Sequence, residues 1–135
     1  MTLAARCSTR PIPRVPGVRH SLVDVGEVQL HVAEAGSGSP IVLLHGWPQH
    51  WYCFRELVPE LAREHRVICP DLRGLGWSDA PAGGYDVSTL AKDIEGLLDA
   101  MNIDRAVIAG HDWGGIVAYR LGIDRPERVT AVVAR

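Results

Sequence analysis

The chain has 135 residues, enough for one domain and too few for two. Apolar residues make up 47% and charged ones 22%, a globular balance that excludes an intrinsically disordered or collagen-like chain. Fourteen Lys and Arg against sixteen Asp and Glu leave a net charge of −2. No basic field for nucleic acid is therefore expected, and apolar runs of about four residues fall far short of a membrane span.

Met1 to His20 differs from the rest. It carries Arg6, Arg10, Arg14 and Arg19 with no acid, and Pro11, Pro13 and Pro16 remove amide donors. The segment reads as a disordered leader or a misplaced start, with a basic targeting arm as the alternative; the apolar stretch of a signal peptide is absent. Three cysteines, Cys7, Cys53 and Cys69, have no CxxC spacing and read as reduced thiols of a cytoplasmic protein.

The domain is expected over residues 21–135. Val28, Leu30 and Val32 alternate with Gln29, His31 and Ala33, which predicts an antiparallel hairpin with one buried face. Continuous apolar runs at Ile41–Leu44, Val67–Cys69, Ala106–Ala109 and Val129–Ala134 predict parallel strands covered on both sides. Between them, Phe54, Leu57, Val58, Leu61 and Ala62 fit a helix that Pro59 would kink. Leu90, Ala91, Ile94, Leu97, Leu98 and Met101 fit a second helix, with Asp86 or Ser88 as its N-cap. A third continues through Ile116, Val117, Tyr119, Arg120 and Leu121 to about Pro126. A hairpin followed by alternating strands and helices predicts an α/β fold with an open sheet.

The third apolar run feeds Gly110-His111-Asp112-Trp113-Gly114-Gly115, and a helix follows at once. Ligands of open α/β sheets bind at the carboxyl ends of strands. A dinucleotide loop would need glycine at position 112, and a phosphate loop would need Lys before Ser or Thr. The spacing fits small-x-nucleophile-x-small, the elbow usually written G-x-S-x-G, with Asp112 at the nucleophile position. A carboxylate is ionised at neutral pH and can displace at saturated carbon, as in epoxides and haloalkanes. Asp112 as a plain helix N-cap is the alternative.

A second motif, His45-Gly46-Trp47-Pro48, ends the first parallel strand, and Asp71-Leu72-Arg73-Gly74-Leu75-Gly76-Trp77-Ser78-Asp79 follows the next. With these three motifs in order, the chain resembles the α/β-hydrolase superfamily, most closely the epoxide hydrolases and their relatives the haloalkane dehalogenases. The resemblance implies the N-terminal half of an α/β-hydrolase fold, with Asp112 as nucleophile and the backbone amides of Trp47 and Trp113 as an oxyanion hole. It implies a cis peptide bond before Pro48, a loop-shaping role for His45 and Gly46, and close packing of Gly110 and Gly114. Arg73 and Asp79 would pin their loop, and His111 would be packed or hydrogen-bonded. Core packing is the alternative for both indoles. No metal and no cofactor are implied; the substrate is a small hydrophobic electrophile. Trp47 favours an epoxide, and an indole after the nucleophile also suits a departing halide.

In this superfamily an acid and then a histidine follow the nucleophile. Trp113 to Arg135 contains Asp124 and Glu127 but no histidine, and no cap with its tyrosines. The expectation is an N-terminal fragment whose last strand is an uncovered, aggregation-prone edge. It would be completed by a complementing C-terminal half or a homo-oligomer, or else be an inactive binding remnant.

Overall fold

The computed structural model describes residues 8–135; Arg6 and Cys7 of the basic arm lie outside them. Six strands, β1 (Arg19–Asp24), β2 (Gln29–Ala35), β3 (Ser39–Leu44), β4 (His65–Pro70), β5 (Ala106–Gly110) and β6 (Val129–Ala134), form one sheet in the order β1-β2-β4-β3-β5-β6. The β1–β2 and β2–β4 pairs are antiparallel, and β4, β3, β5 and β6 run parallel. This is the N-terminal part of an α/β-hydrolase fold. Among the described residues, no helix is long and apolar enough to cross a membrane.

The continuous apolar runs divide between two cores because successive side chains of a strand point to opposite faces. Val42 and Leu44 of β3, Ile68 of β4 and Ala106 and Ile108 of β5 join one core. That core is completed by α2 (Val87–Ala100) and α3 (Trp113–Asp124). Leu43, Val67 and Cys69 face the other way, against Trp51, Val58 and Trp77.

Asp86 caps α2: its carboxylate accepts from the Thr89 N–H at 2.9 Å and from the Thr89 hydroxyl at 2.8 Å. The helix expected over Phe54–Ala62 is instead a 3-10 turn, Trp51–Phe54, followed by a five-residue α1, Leu57–Leu61. Pro59 explains the difference. A proline ring clashes with the carbonyl four residues earlier, here that of Arg55, and is tolerated only in a helix's first turn.

Two further expectations give way. Strand β2 is buried on both faces, His31 and Ala33 included, because Leu30 and Val32 join the first core while Ala33 and Ala35 join the second. The arm expected to be disordered as far as His20 is placed from Ser8 onward. Ile12, Val15 and Val18 pack on the second core, the Trp77 indole N–H donates to the Arg10 carbonyl at 2.6 Å, and Arg19 and His20 begin β1. Apolar residues between the prolines supply the burial that the Arg and Pro content obscured. Strand β6 is the outermost strand on its side, with four of its six residues exposed.

Candidate active site

Strands β3 and β5 are adjacent and parallel, with Leu44 opposite Gly110. Their carboxyl ends therefore emerge side by side, and the two turns that follow meet. In the second turn Asp112 has φ 55° and ψ −128°, a left-handed conformation that few non-glycine residues adopt. The turn closes only around missing side chains. A Cβ on Gly110 would sit 2.4 Å from the Gly114 carbonyl oxygen, and one on Gly114 would sit 2.1 Å from that of Leu44. Asp112 occupies the N-cap position of α3, but its side chain makes no capping hydrogen bond. The carboxylate faces the other turn instead.

There Asp112 Oδ2 accepts the Trp47 N–H at 3.0 Å. That amide, and after it the Trp113 amide, hold the exposed carboxyl below its ordinary pKa. Gly46 has room for no side chain, since a Cβ would lie 2.6 Å from that of Asp112. The Trp47–Pro48 peptide bond is cis.

His45 is fully buried beneath the turn. Its Nε2 accepts the Leu72 N–H at 2.9 Å, so the proton sits on Nδ1, which donates to the Gly46 carbonyl at 2.9 Å. Burial pushes its pKa down, and both ring nitrogens are engaged. His111 turns away from the carboxylate, donating through Nε2 to Gln49 Oε1 and meeting Phe54 edge to face at 5.8 Å.

The indoles of Trp47 and Trp113 are 67% and 41% exposed, so neither serves as a core side chain. Together with Leu72, Leu75, Tyr85 and Leu90 they line an apolar cavity of about 350 Å³, which Trp113 joins to the Asp112 turn. Arg73 also borders it, yet its charge is neutralised. The guanidinium donates twice to Asp93, at 2.8 Å each, and once to Glu27 at 2.9 Å. These partners raise the pKa of Arg73, while burial pushes Asp93 up against the pull of the cation. Asp79 Oδ2 accepts the Gln29 N–H at 2.8 Å, so the pinning role of this loop's charges is what the structure contains.

Three polar residues escaped the sequence reading. Buried Asp71 accepts the amides of Trp51 and Trp77 and a bond from His31 Nδ1, at 2.8, 2.9 and 2.8 Å. His31 Nε2 in turn lies 3.0 Å from His20 Nδ1. Only the antiparallel register of β2 and β4, which runs from Val32↔Pro70 on to His31 and Asp71, announces this chain. The third is Gln49, whose side chain touches both turns. Among the described residues, no group of three or more His, Cys, Asp or Glu is placed to hold a metal.

Residues 39–135 match the alpha/beta hydrolase fold family. The chain is 44% identical over 112 residues to a soluble epoxide hydrolase of Corynebacterium sp. (strain C12), which covers 83% of this chain and 39% of that protein. It is 36% identical over 121 residues to a fluoroacetate dehalogenase of Burkholderia sp., covering 86% and 40%. The crystal structure of epoxide hydrolase VrEH1 from Vigna radiata superposes with a TM-score of 0.86 at 36% identity, covering 91% of this chain and 39% of that one. The chain thus spans about two fifths of the length of these relatives. A family match over more than half its residues and the elbow between β5 and α3 agree: the chain belongs to the α/β hydrolase family.

Proposed function

We propose that Asp112 is the nucleophile of an epoxide-hydrolase-like reaction. The observation that carries this reading is the Trp47 amide on Asp112 Oδ2, which leaves Oδ1 to attack from a strained, exposed turn. Oδ1 bonds to an epoxide carbon, that carbon's bond to the ring oxygen breaks, and the alkoxide takes a proton from solvent water, releasing hydroxide. Water then attacks the carboxyl carbon of the ester. Oδ2 becomes the oxyanion, held by the amides of Trp47 and Trp113; collapse breaks the Cγ–Oδ1 bond, the leaving oxygen takes one proton that the water gave up to a base, and a diol and the carboxylate result.

The apolar cavity with its neutralised Arg73 supports a small uncharged substrate. A base is needed for the second half. His45 has both nitrogens bonded and His111 is directed at Gln49, so neither is placed for it. This chain by itself is expected to stop at the ester. The exposed Ile116, Tyr119 and Ile123 on α3 and the outer strand β6 support completion by further polypeptide.

A carbon–halogen bond is the second electrophile, favoured by the exposed Trp113 indole and the likeness to a dehalogenase. The test is intact-mass analysis of the purified chain with styrene oxide and with 1-chlorobutane. A single adduct mapped to Asp112 from the epoxide alone supports the leading reading, and one from the chloride alone reverses it. No adduct on a folded sample favours a binding remnant.

A further inference from the structure

Within one trans peptide unit the C=O and the N–H point in opposite directions. The Trp47 N–H shares its unit with the Gly46 carbonyl, so whatever grips that carbonyl aims the amide. Two groups do. The Gln49 N–H donates to Gly46 O at 2.9 Å, and His45 Nδ1 donates to it at 2.9 Å. The preceding peptide unit is held as well, since the Gly46 N–H donates to Gln49 Oε1 at 3.3 Å. The same Oε1 accepts from His111 Nε2, one residue before the nucleophile. Gln49 thus closes the first turn on itself through its backbone and ties it to the second turn through its side chain.

We infer that Gln49 is a positioning residue that sets the Trp47 amide against Asp112 by bridging Gly46 and His111. Pairing gives β3 and β5 one frame only as far as Leu44 and Gly110, and bonds within the first turn alone do not tie it to the second beyond that point. The two turns also meet where the His111 N–H donates to the Leu44 carbonyl at 3.3 Å, at the strand ends; Gln49 Oε1 adds a side-chain tie farther out, between Gly46 and His111, that limits pivoting of one turn on the other. The inference deepens the reading of Asp112 as nucleophile, but its test needs no substrate.

The test is a carbon-13 NMR titration of the Asp112 carboxyl in the full chain, assigned through Asp112→Asn. Gln49 is exposed, so Gln49→Leu is expected to fold while losing both acceptor bonds. A less well-aimed Trp47 amide stabilises the carboxylate less, so the midpoint should rise by about half a pH unit, and Trp47 amide exchange should quicken about threefold or more. In a His111→Phe background, which keeps a ring against Phe54, the same change should move the midpoint by less than half as much. An unmoved midpoint overturns the inference, and so does an equal shift in both backgrounds. Ester formation that fails while the shifts appear overturns the nucleophile reading and leaves this one standing.

Discussion

The Trp47 amide and the Asp112 carboxylate are 65 residues apart in the chain and 3.0 Å apart in space. The bond favours the ionised acid, which decides how the reaction should respond to pH. Asp112 has a lowered pKa, so its ionised form persists to lower pH than that of an ordinary aspartate. The rate of ester formation, followed by mass, should therefore stay level from pH 7 to about 4. A rate already halved near pH 5 would contradict the arrangement. Asp112→Asn should form no ester at any pH.

Gly114 abuts the end of β3, and an added methyl has backbone on its far side. Gly114→Ala should cost about 1–3 kcal/mol, because the Leu44 carbonyl it meets cannot move without disturbing the sheet. Gly83→Ala is the control, since a Cβ there meets nothing within 4 Å. Urea midpoints of the two variants should separate clearly.

Arg73 and Asp93 are 3% and 7% exposed, and removing one leaves the other in a site built for a pair. Asp93→Ala strands the guanidinium with Glu27, itself 76% exposed, and the Gly83 carbonyl. A loss of about 3–5 kcal/mol is expected, a large share of a domain's stability. Asp93→Asn keeps an acceptor and should lose less. Equal losses in chemical denaturation would show that the carboxylate charge, and not a neutral acceptor of the same size, is what the site requires.

His45 links stability to pH with a definite sign. Its pKa is lowered in the fold, so below the ordinary histidine value the unfolded chain binds the proton that the folded chain refuses. Its contribution is complete above about pH 6.5 and is lost as pH falls, at up to about 1.4 kcal/mol per pH unit. The urea midpoint of the native chain should drop between pH 7.5 and 5.5. In His45→Asn the drop should be smaller, on a lower baseline.

The strands and the sharp glycine-flanked turn at Asp112 were legible because their signals are local. Ile41–Leu44 and Ala106–Ala109 are apolar without interruption, and the glycines around Asp112 stand at the spacing the turn demands. What stayed hidden depends on partners far along the chain. His31 looked like an outward residue of an amphipathic hairpin until β4 brought Asp71, 40 residues away, within 2.8 Å. Gln49 had no visible role because its partner His111 lies 62 residues on. The arm from Ser8 misled in another way, since Ile12, Val15 and Val18 are few among prolines and arginines yet pack on the second core.

The pairing of Leu44 with Gly110 acts as a ruler. Each residue of strand advances the chain by about 3.3 Å, more than a hydrogen bond tolerates. One residue inserted into β3 would carry the Trp47 amide past Asp112, with every motif still present and the two turns out of alignment. Counting between the motifs, and not only their presence, is therefore what a working copy of this site must preserve.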